Sequence, residues 1–301
     1  MLTELPHHVA ALLERHQRRC RTMADQIAKD HGSIHAYRSG LQAEIITAPG
    51  VPLLDEFYRL YQTVFTLDDE REPFEGFSQV LAFNGDKTIQ SEFGPFIETV
   101  ITLRDLQTKE LVGAANPVFY AYPKQKEDFG FDASCQLNFI LVRDELRGLG
   151  LGNVLLQRIE AELAIFARKQ CQGSRFFVTC EQNNPSRMTS AEIVADAEAA
   201  LIDPNDRMRW WRRRGFKRLD FPYVQPPLSA TQDACGYLDY YVRFGDEGPS
   251  GPKTLATSVL REHLRRFFFV SVGKFAVNMD ENREWRSVRD FLSARENVAI
   301  F

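Results

Sequence analysis

The sequence predicts an α/β fold, and two stretches carry most of that reading. One is "CQLNFILV", "RDELRGLG" and "LGNVLLQRIEAELAIFARKQ" in succession: an apolar strand, a glycine-rich turn and a helix with Val154, Leu155, Ile159, Leu163 and Phe166 at helical spacing. The next strand, "RFFVTC", follows directly. The other is the pair "FIETVITLRD" and "ELVGAANPVFYAY", two apolar runs that read as a β-hairpin around "LQTK".

The remaining elements follow in order. Residues 1 to about 38 read as a helical arm, with Val9, Leu12 and Leu13 on one face and Gly32 as a stop. "VPLLDEFYRLYQTVF" is an amphipathic helix whose stripe holds Leu54, Phe57, Tyr58, Tyr61 and Phe65; it runs into the acidic segment "TLDDEREPFEGF". "MRWWRRRGF" reads as a helix stopped by Gly215, while "FKRLDFPYV" and "GYLDYYVRF" read as strands. "GDEGPSGPK", residues Gly245 to Lys253, is the clearest linker, and the stretch beyond it reads as mostly helical.

The totals narrow the class. The 301 residues are 44 % hydrophobic and 26 % charged, enough apolar material for a sizeable core. A net charge of −4 makes no global case for nucleic acid or an anionic membrane as partner. The five cysteines are scattered and never in C-x-x-C spacing, which suits a reducing compartment and argues against zinc; no metal is expected. The N-terminus lacks the apolar stretch of a secretory signal, and "FFFVSV" is far too short to span a bilayer. A cytoplasmic location is expected.

Strand, glycine turn and helix together make an anion-binding arrangement, because the first helical turn offers unpaired N–H groups and the positive end of the dipole. Glycines let the backbone approach phosphate oxygens. The spacing here is G-x-G-x-G in mid-chain with no Walker lysine, so neither a dinucleotide fingerprint nor a P-loop fits. "LVRDELRGLGLGNVLL" instead resembles the acyl-CoA signature of the GNAT N-acetyltransferase superfamily, in which Arg or Gln, two residues, Gly, one residue and Gly or Ala stand at a strand-to-helix junction. Arg147, Gly150 and Gly152 match it, and Val142 stands at the strand-terminal valine. "RFFVTCEQNNP" and "RWWRRRGFKRL" look like the later strand and the helix-then-Gly-Phe element of that family. The resemblance spans roughly residues 41–246.

That resemblance implies a mixed, mostly antiparallel sheet with its two central strands splayed and helices on either side. It implies acetyl-CoA as acyl donor co-substrate, with the pantetheine arm on the strand edge at Ile140, Leu141 and Val142. The pyrophosphate would lie on Arg147, Gly148, Leu149, Gly150, Leu151, Gly152 and Asn153, with Asn183 on the neighbouring strand. An amine would attack the thioester directly in a ternary complex, a backbone N–H would hold the oxyanion, and no cysteine need be a nucleophile.

Acid and base are less plain. The family's usual tyrosine, four residues before the Gly-Phe pair, is Trp211 here, which cannot protonate a thiolate in practice; it is placed instead among substrate contacts. Glu181, beyond "RFFVTC", is either the base or a solvated strand-end carboxylate. Gln136 and Asn138 stand on the preceding strand at places open to a carboxylate in relatives; as amides they could orient a water but cannot take a proton. Tyr223 lines the acceptor pocket or is half-buried packing. Of Asp68, Asp69, Glu70, Glu72 and Glu75, one or two could attract a cationic amine, with Glu70 the expected contact, or the segment is a solvated loop. The seven basic residues from Arg207 to Arg218 are a nucleic-acid contact, a partner surface or the outer face of a helix, and the helix face is favoured.

Three additions flank this core: the arm, residues 1–40; an insertion at about 186–207 with an alanine-rich helical pattern; and a C-terminal extension, residues 247–301. The insertion is a lid or wall beside the acceptor entrance or a surface decoration that touches nothing, and the two terminal extensions either cover the acceptor site or pack against a second copy of the chain as a homodimer. Their bulk favours a small-molecule amine over a protein lysine. Three functions compete: an N-acetyltransferase, a catalytically silent acyl-CoA-binding sensor or partner, and a nucleic-acid-associated protein that the net charge argues against.

Overall fold

A computed structural model describes residues 5–67, 71–123, 129–227, 233–245, 251–274 and 278–301. The arm is helical as expected: α1 (His7–His31) ends on Gly32 in the left-handed region, and a short α2 (Ile34–Ser39) is capped by the Ser33 hydroxyl. The sheet begins with β1 (Leu41–Ile46). Next come α3 (Pro52–Val64), α4 (Phe74–Ala82) and α5 (Lys87–Phe93). The last two were not read from the sequence. The acidic lead-in and Gly76 hide the short apolar stripe of α4, whose Phe77, Val80 and Leu81 are buried.

The predicted hairpin is present, with its first limb kinked at Thr99 into β2 (Phe96–Glu98) and β3 (Val100–Asp105) and its second limb β4 (Leu111–Ala121). β5 (Ala133–Val142), α6 (Leu151–Cys171) and β6 (Phe176–Asn183) follow in the predicted order. The insertion forms α7 (Ser190–Ala200), closed at its start by a Thr189–Glu192 capping box, and leads into α8 (Pro204–Arg212). β7 is only Lys217–Arg218, and β8 is Leu238–Phe244. The strand expected over "FKRLDFPYV" shrinks to β7 and one bridge, Leu219 with Ile300; it does not continue past Pro222, which has no N–H to give a ladder. The C-terminal extension holds β9 (Thr254–Ala256), α9 (Thr257–Arg266), a π-helix (Phe267–Val272), α10 (Arg283–Ser293) and β10 (Asn297–Ala299). Of the linker, residues 246–250 lie outside the described residues.

Among the described residues, eight strands form one mixed sheet in the order β1-β3-β4-β5-β6-β8-β7, with β2 also on β4. Every pairing is antiparallel except β5 with β6. α6 covers one face, burying Leu151, Leu155, Leu156, Ile159 and Leu163 against Ile101, Ala115, Phe119, Cys135, Leu137 and Val178. The other face is divided. Near β1 it is packed by α3 and α4 around Phe57, Tyr61 and Phe77. Toward β8 the C-terminal extension covers it with Leu260, Leu264, Phe267, Phe268 and Trp285 over Tyr120, Phe177 and Tyr240. Burial on both faces explains why β4 and β5 read as nearly continuous apolar runs.

Candidate active site

The ladder between the two parallel strands ends at Leu137 with Cys180, although β5 runs on to Val142 and β6 to Asn183. The strands therefore part, leaving the β6-facing edge of Asn138 to Val142 without a β6 partner. A bulge coincides with the parting. Asn116 opposes Phe139 and Pro117 opposes Leu137, so Asn138 is the extra residue. Pro117 cannot donate to β5, which is why a proline is tolerated in a central strand at this point.

The turn after β5 shows why its glycines alternate with leucines. Leu149 and Leu151 are 2 % and 1 % exposed and anchor the turn in the α6 core. The glycines between them carry the outer surface. Gly148 and Gly150 have φ values of 85° and 78°, a region that side chains rarely adopt, and Gly150 is the N-cap of α6 with no side-chain cap. A Cβ on Gly152 would lie 2.7 Å from Trp210 Cζ2, so that glycine admits the close approach of α8. Among the expected contacts, Leu149 and Leu151 thus offer backbone only.

Arg147 does not aim outward. Its guanidinium binds the carbonyl of Ala200 at the end of α7 and the carboxylate of Asp144, and burial holds its pKa below the ordinary arginine value. A different arginine stands over the turn: the Arg38 guanidinium carbon is 3.3 Å from a Cβ placed on Gly150. Arg214 joins from the other side, donating to Asn153 Oδ1 and lying 3.7 Å over the Trp210 ring. Arg207 is spent on a bidentate bond to Asp196, at 2.8 and 2.6 Å, and Asn183 donates to the same carboxylate at 3.2 Å. Arg209 and Arg218 pair with Asp206 and Asp220, so at least four members of the arginine cluster bind partners within the chain. The sequence did not reveal Arg38, because its neighbour is 112 positions away in the chain.

Glu181 is the first β6 residue beyond the last pair with β5. It accepts a hydrogen bond from the Tyr223 hydroxyl. Burial pushes its carboxyl up to about 7, and the bonds from Tyr223 and Gln225 pull the other way. Tyr223 is 2 % exposed, with its ring 4.9 Å from that of Tyr240.

Trp211 requires a correction. It is 5 % exposed and packs edge-on against Trp210 at 4.8 Å and Phe216 at 4.9 Å in the α6-side core, so it is a packing residue rather than a substrate contact. Its place at the inner face of α8 determines this, since Gly215 turns the chain back and lays Phe216 on the same ring. Glu70, Asp68 and Asp69 lie outside the described residues. From the same segment Glu72 turns inward and pairs with Lys274 of the C-terminal extension at 3.0 Å.

Behind the parting lies a polar network that the sequence did not announce. His263 of α9, fully buried, sits within 2.8 Å of both Ser134 on β5 and Thr179 on β6, and 3.0 Å from the Tyr240 hydroxyl. Thr179 donates to Gln136 Oε1 at 2.8 Å and Tyr240 binds the same oxygen. Burial drives the His263 pKa down to about 3, so the ring is neutral.

No protein-family model matches the chain, and no curated protein matches it. Solved N-acetyltransferase structures are similar to it. Arabidopsis thaliana NAA60 in complex with acetyl-CoA aligns at 16 % identity over 69 % of this chain and 99 % of that one, with a TM-score of 0.40. The ribosomal-protein-S18-alanine N-acetyltransferase of Escherichia coli aligns at 12 % identity over 70 % and 99 %, TM-score 0.37. An aminoglycoside acetyltransferase from an uncultured soil metagenomic sample, in complex with sisomicin, aligns at 16 % identity over 47 % and 78 %, TM-score 0.32.

Proposed function

We propose that the chain is an acyl-CoA-dependent N-acyltransferase that moves an acetyl group from acetyl-CoA to a small-molecule amine. One observation carries this reading. The RGLGLG turn opens α6 at the end of β5, beside the point where β5 and β6 separate. A pyrophosphate on that turn directs the pantetheine arm along the free edge of β5, toward the gap.

The residues present fit such a ligand. The N–H groups of Leu151 and Gly152 open α6 with no preceding turn to accept them and no side-chain cap, the Asn153 N–H donates to the Gly150 carbonyl at 3.0 Å, and two glycines expose the backbone. Arg38 and Arg214 bring positive charge to either side, while Arg147 holds the turn in place through Ala200 and Asp144. Of the expected contacts, Ile140 and Val142 keep their assigned roles, whereas the Asn153 N–H is taken by the Gly150 carbonyl and the Asn183 amide by Asp196.

In the transfer, the amine nitrogen forms a bond to the acetyl carbonyl carbon and the carbon–sulfur bond breaks. Glu181 takes the proton that leaves the nitrogen; at about 7 its pKa suits that task near neutral pH. The products are an acetamide and the CoA thiol, the thiolate taking its proton from water. The C-terminal extension walls the acceptor side, which favours a small amine over a protein lysine. A second reading, a silent acyl-CoA-binding protein, draws on Trp211 standing where the family's acid is expected.

Thiol release from acetyl-CoA, followed across a panel of amines, tests the reading. An enzyme releases thiol faster with the right amine, and Glu181→Gln slows it. A protein that binds acetyl-CoA and releases no thiol with any amine is the silent form.

A further inference from the structure

Among the described residues, Glu98 is a buried carboxyl with one oxygen left unpaired. It ends β2 with 2 % of its surface exposed, and burial raises its carboxyl to about 8. Its Oε1 accepts from Asn116 Nδ2 on β4, but its Oε2 has no partner. If ionised, Oε2 lacks a donor, and if protonated it lacks an acceptor, so the site is incomplete in either state. Asn116 Oδ1 in turn accepts from Asn138 Nδ2 at 2.8 Å, and Asn138 Oδ1 is likewise buried without a partner. Two unpaired acceptor atoms are thus linked through one asparagine, and the second belongs to the bulge where β5 leaves β6.

The surroundings indicate what would fill them. Lys274 lies on the Glu72 carboxylate at 3.0 Å, close enough to Glu98 for its charge to act there, so an alkylammonium already stands at the margin. From the gap to that margin runs an aromatic wall. Phe139 of β5 packs on Phe57, Tyr61 and Phe77 at 5.9, 5.0 and 5.9 Å, and the Tyr61 hydroxyl accepts the Glu72 N–H at 2.9 Å. Aromatic faces suit a cation with an apolar stem. With Glu98 ionised, an anionic acceptor would meet only acceptor atoms, and a neutral hydroxyl would offer a single donor and no charge.

We propose that the acceptor is a primary alkylamine, bound as its ammonium ion at Glu98 Oε2 with Asn138 Oδ1 as second acceptor, along the wall formed by Phe139 and Tyr61. Lys274 competes for the same carboxylates from the C-terminal extension. This names the substrate class for the acyltransferase reading and rests on it, but the binding site can be tested without turnover.

The test is calorimetric titration of the full chain, free of acyl-CoA, with butylamine hydrochloride and, separately, 1-butanol. The amine should bind and the alcohol should not. Glu98→Gln keeps the shape of the protonated carboxyl and so preserves the fold, checked by thermal unfolding; it should weaken amine binding about tenfold or more. Lys274→Met should strengthen it. Equal binding of the alcohol, unchanged affinity in Glu98→Gln, or no amine binding in either the native chain or Lys274→Met overturns the proposal. Thiol release that occurs with amines yet ignores Glu98 leaves the acyltransferase standing and removes this site. Amine binding that depends on Glu98 without any thiol release does the reverse.

Discussion

At the residue scale, the proposed transfer turns on a carboxylate whose surroundings hold it near neutrality. Glu181 is raised by burial to about 7, and its bond from Tyr223 opposes that rise. The rate of transfer should climb as pH passes through about 7 and bend there, because only the ionised form accepts a proton. Tyr223→Phe removes a bond that favours the carboxylate, so the bend should move to higher pH, read from kcat/KM profiles of the two proteins. An unmoved bend would separate Tyr223 from Glu181. Gly152 makes a packing prediction of its own. Gly152→Val would drive a side chain into Trp210, and overpacking of this kind costs about 1–3 kcal/mol, measurable by urea unfolding.

At the element scale, the site is made where elements end. β5 and β6 stop pairing after Leu137 and Cys180, α6 starts on Gly150, and α2 carries Arg38 over that start. Arg38→Ala should weaken acetyl-CoA roughly tenfold, the worth of one charged contact, and flatten the salt dependence of binding. Unchanged affinity would show that the arm merely rests there. Much of this level was legible. The RGLGLG turn, β5, α6 and β6 follow from apolar runs and glycine spacing that are local in the chain. Glu181 could be placed by its position after "RFFVTC". What stayed hidden depends on contacts distant in sequence: Arg38 over Gly150, Arg147 on Ala200, and His263 between Ser134 and Thr179. Two signals were present. Pro117 inside an apolar strand marks a bulge, and Glu98 is a lone carboxylate within "FIETVITL". Trp211 was misplaced because the family pattern fixes a position along the chain, whereas packing against Phe216 decides which way the ring faces.

At the scale of the whole molecule, the additions complete the fold. α1 and α7 pack together through Val9, Leu13 and Ala197, and α7 holds Arg147. The C-terminal extension buries one face of the sheet and bonds its edge, Arg218 exchanging backbone hydrogen bonds with Phe301 at 2.9 Å. Deleting residues 251–301 would uncover Tyr120, Phe177 and Tyr240, and the truncated chain should be insoluble or lack cooperative unfolding. A soluble, cooperatively folding product would contradict this. Stability should depend on pH through His263, Glu98 and Glu181 together. His263 is depressed to about 3 from 6.5, so the unfolded chain alone binds its proton between those values, and stability rises with pH across that window. Glu98 is raised from 4.5 to about 8, so the folded chain alone keeps its proton there, and stability falls across that window. From 4.5 to 6.5 the His263 slope opposes those of Glu98 and Glu181, the latter raised from 4.5 to about 7. From about 7 to 8 Glu98 acts alone among these three, and Tm should decline. Glu98→Gln should remove that decline, whereas an equal decline in the variant would assign it to other groups.

The most direct test of the central claim is calorimetric titration of acetyl-CoA into the native chain and into Gly150→Trp, with unfolding curves confirming that both are folded. The account predicts affinity on the order of micromolar for the native chain and none for the variant, whose indole would cover the N–H groups at the start of α6. Failure of the native chain to bind acetyl-CoA, longer acyl-CoAs and CoA itself would contradict it, since the turn proposed to hold a pyrophosphate would then hold none.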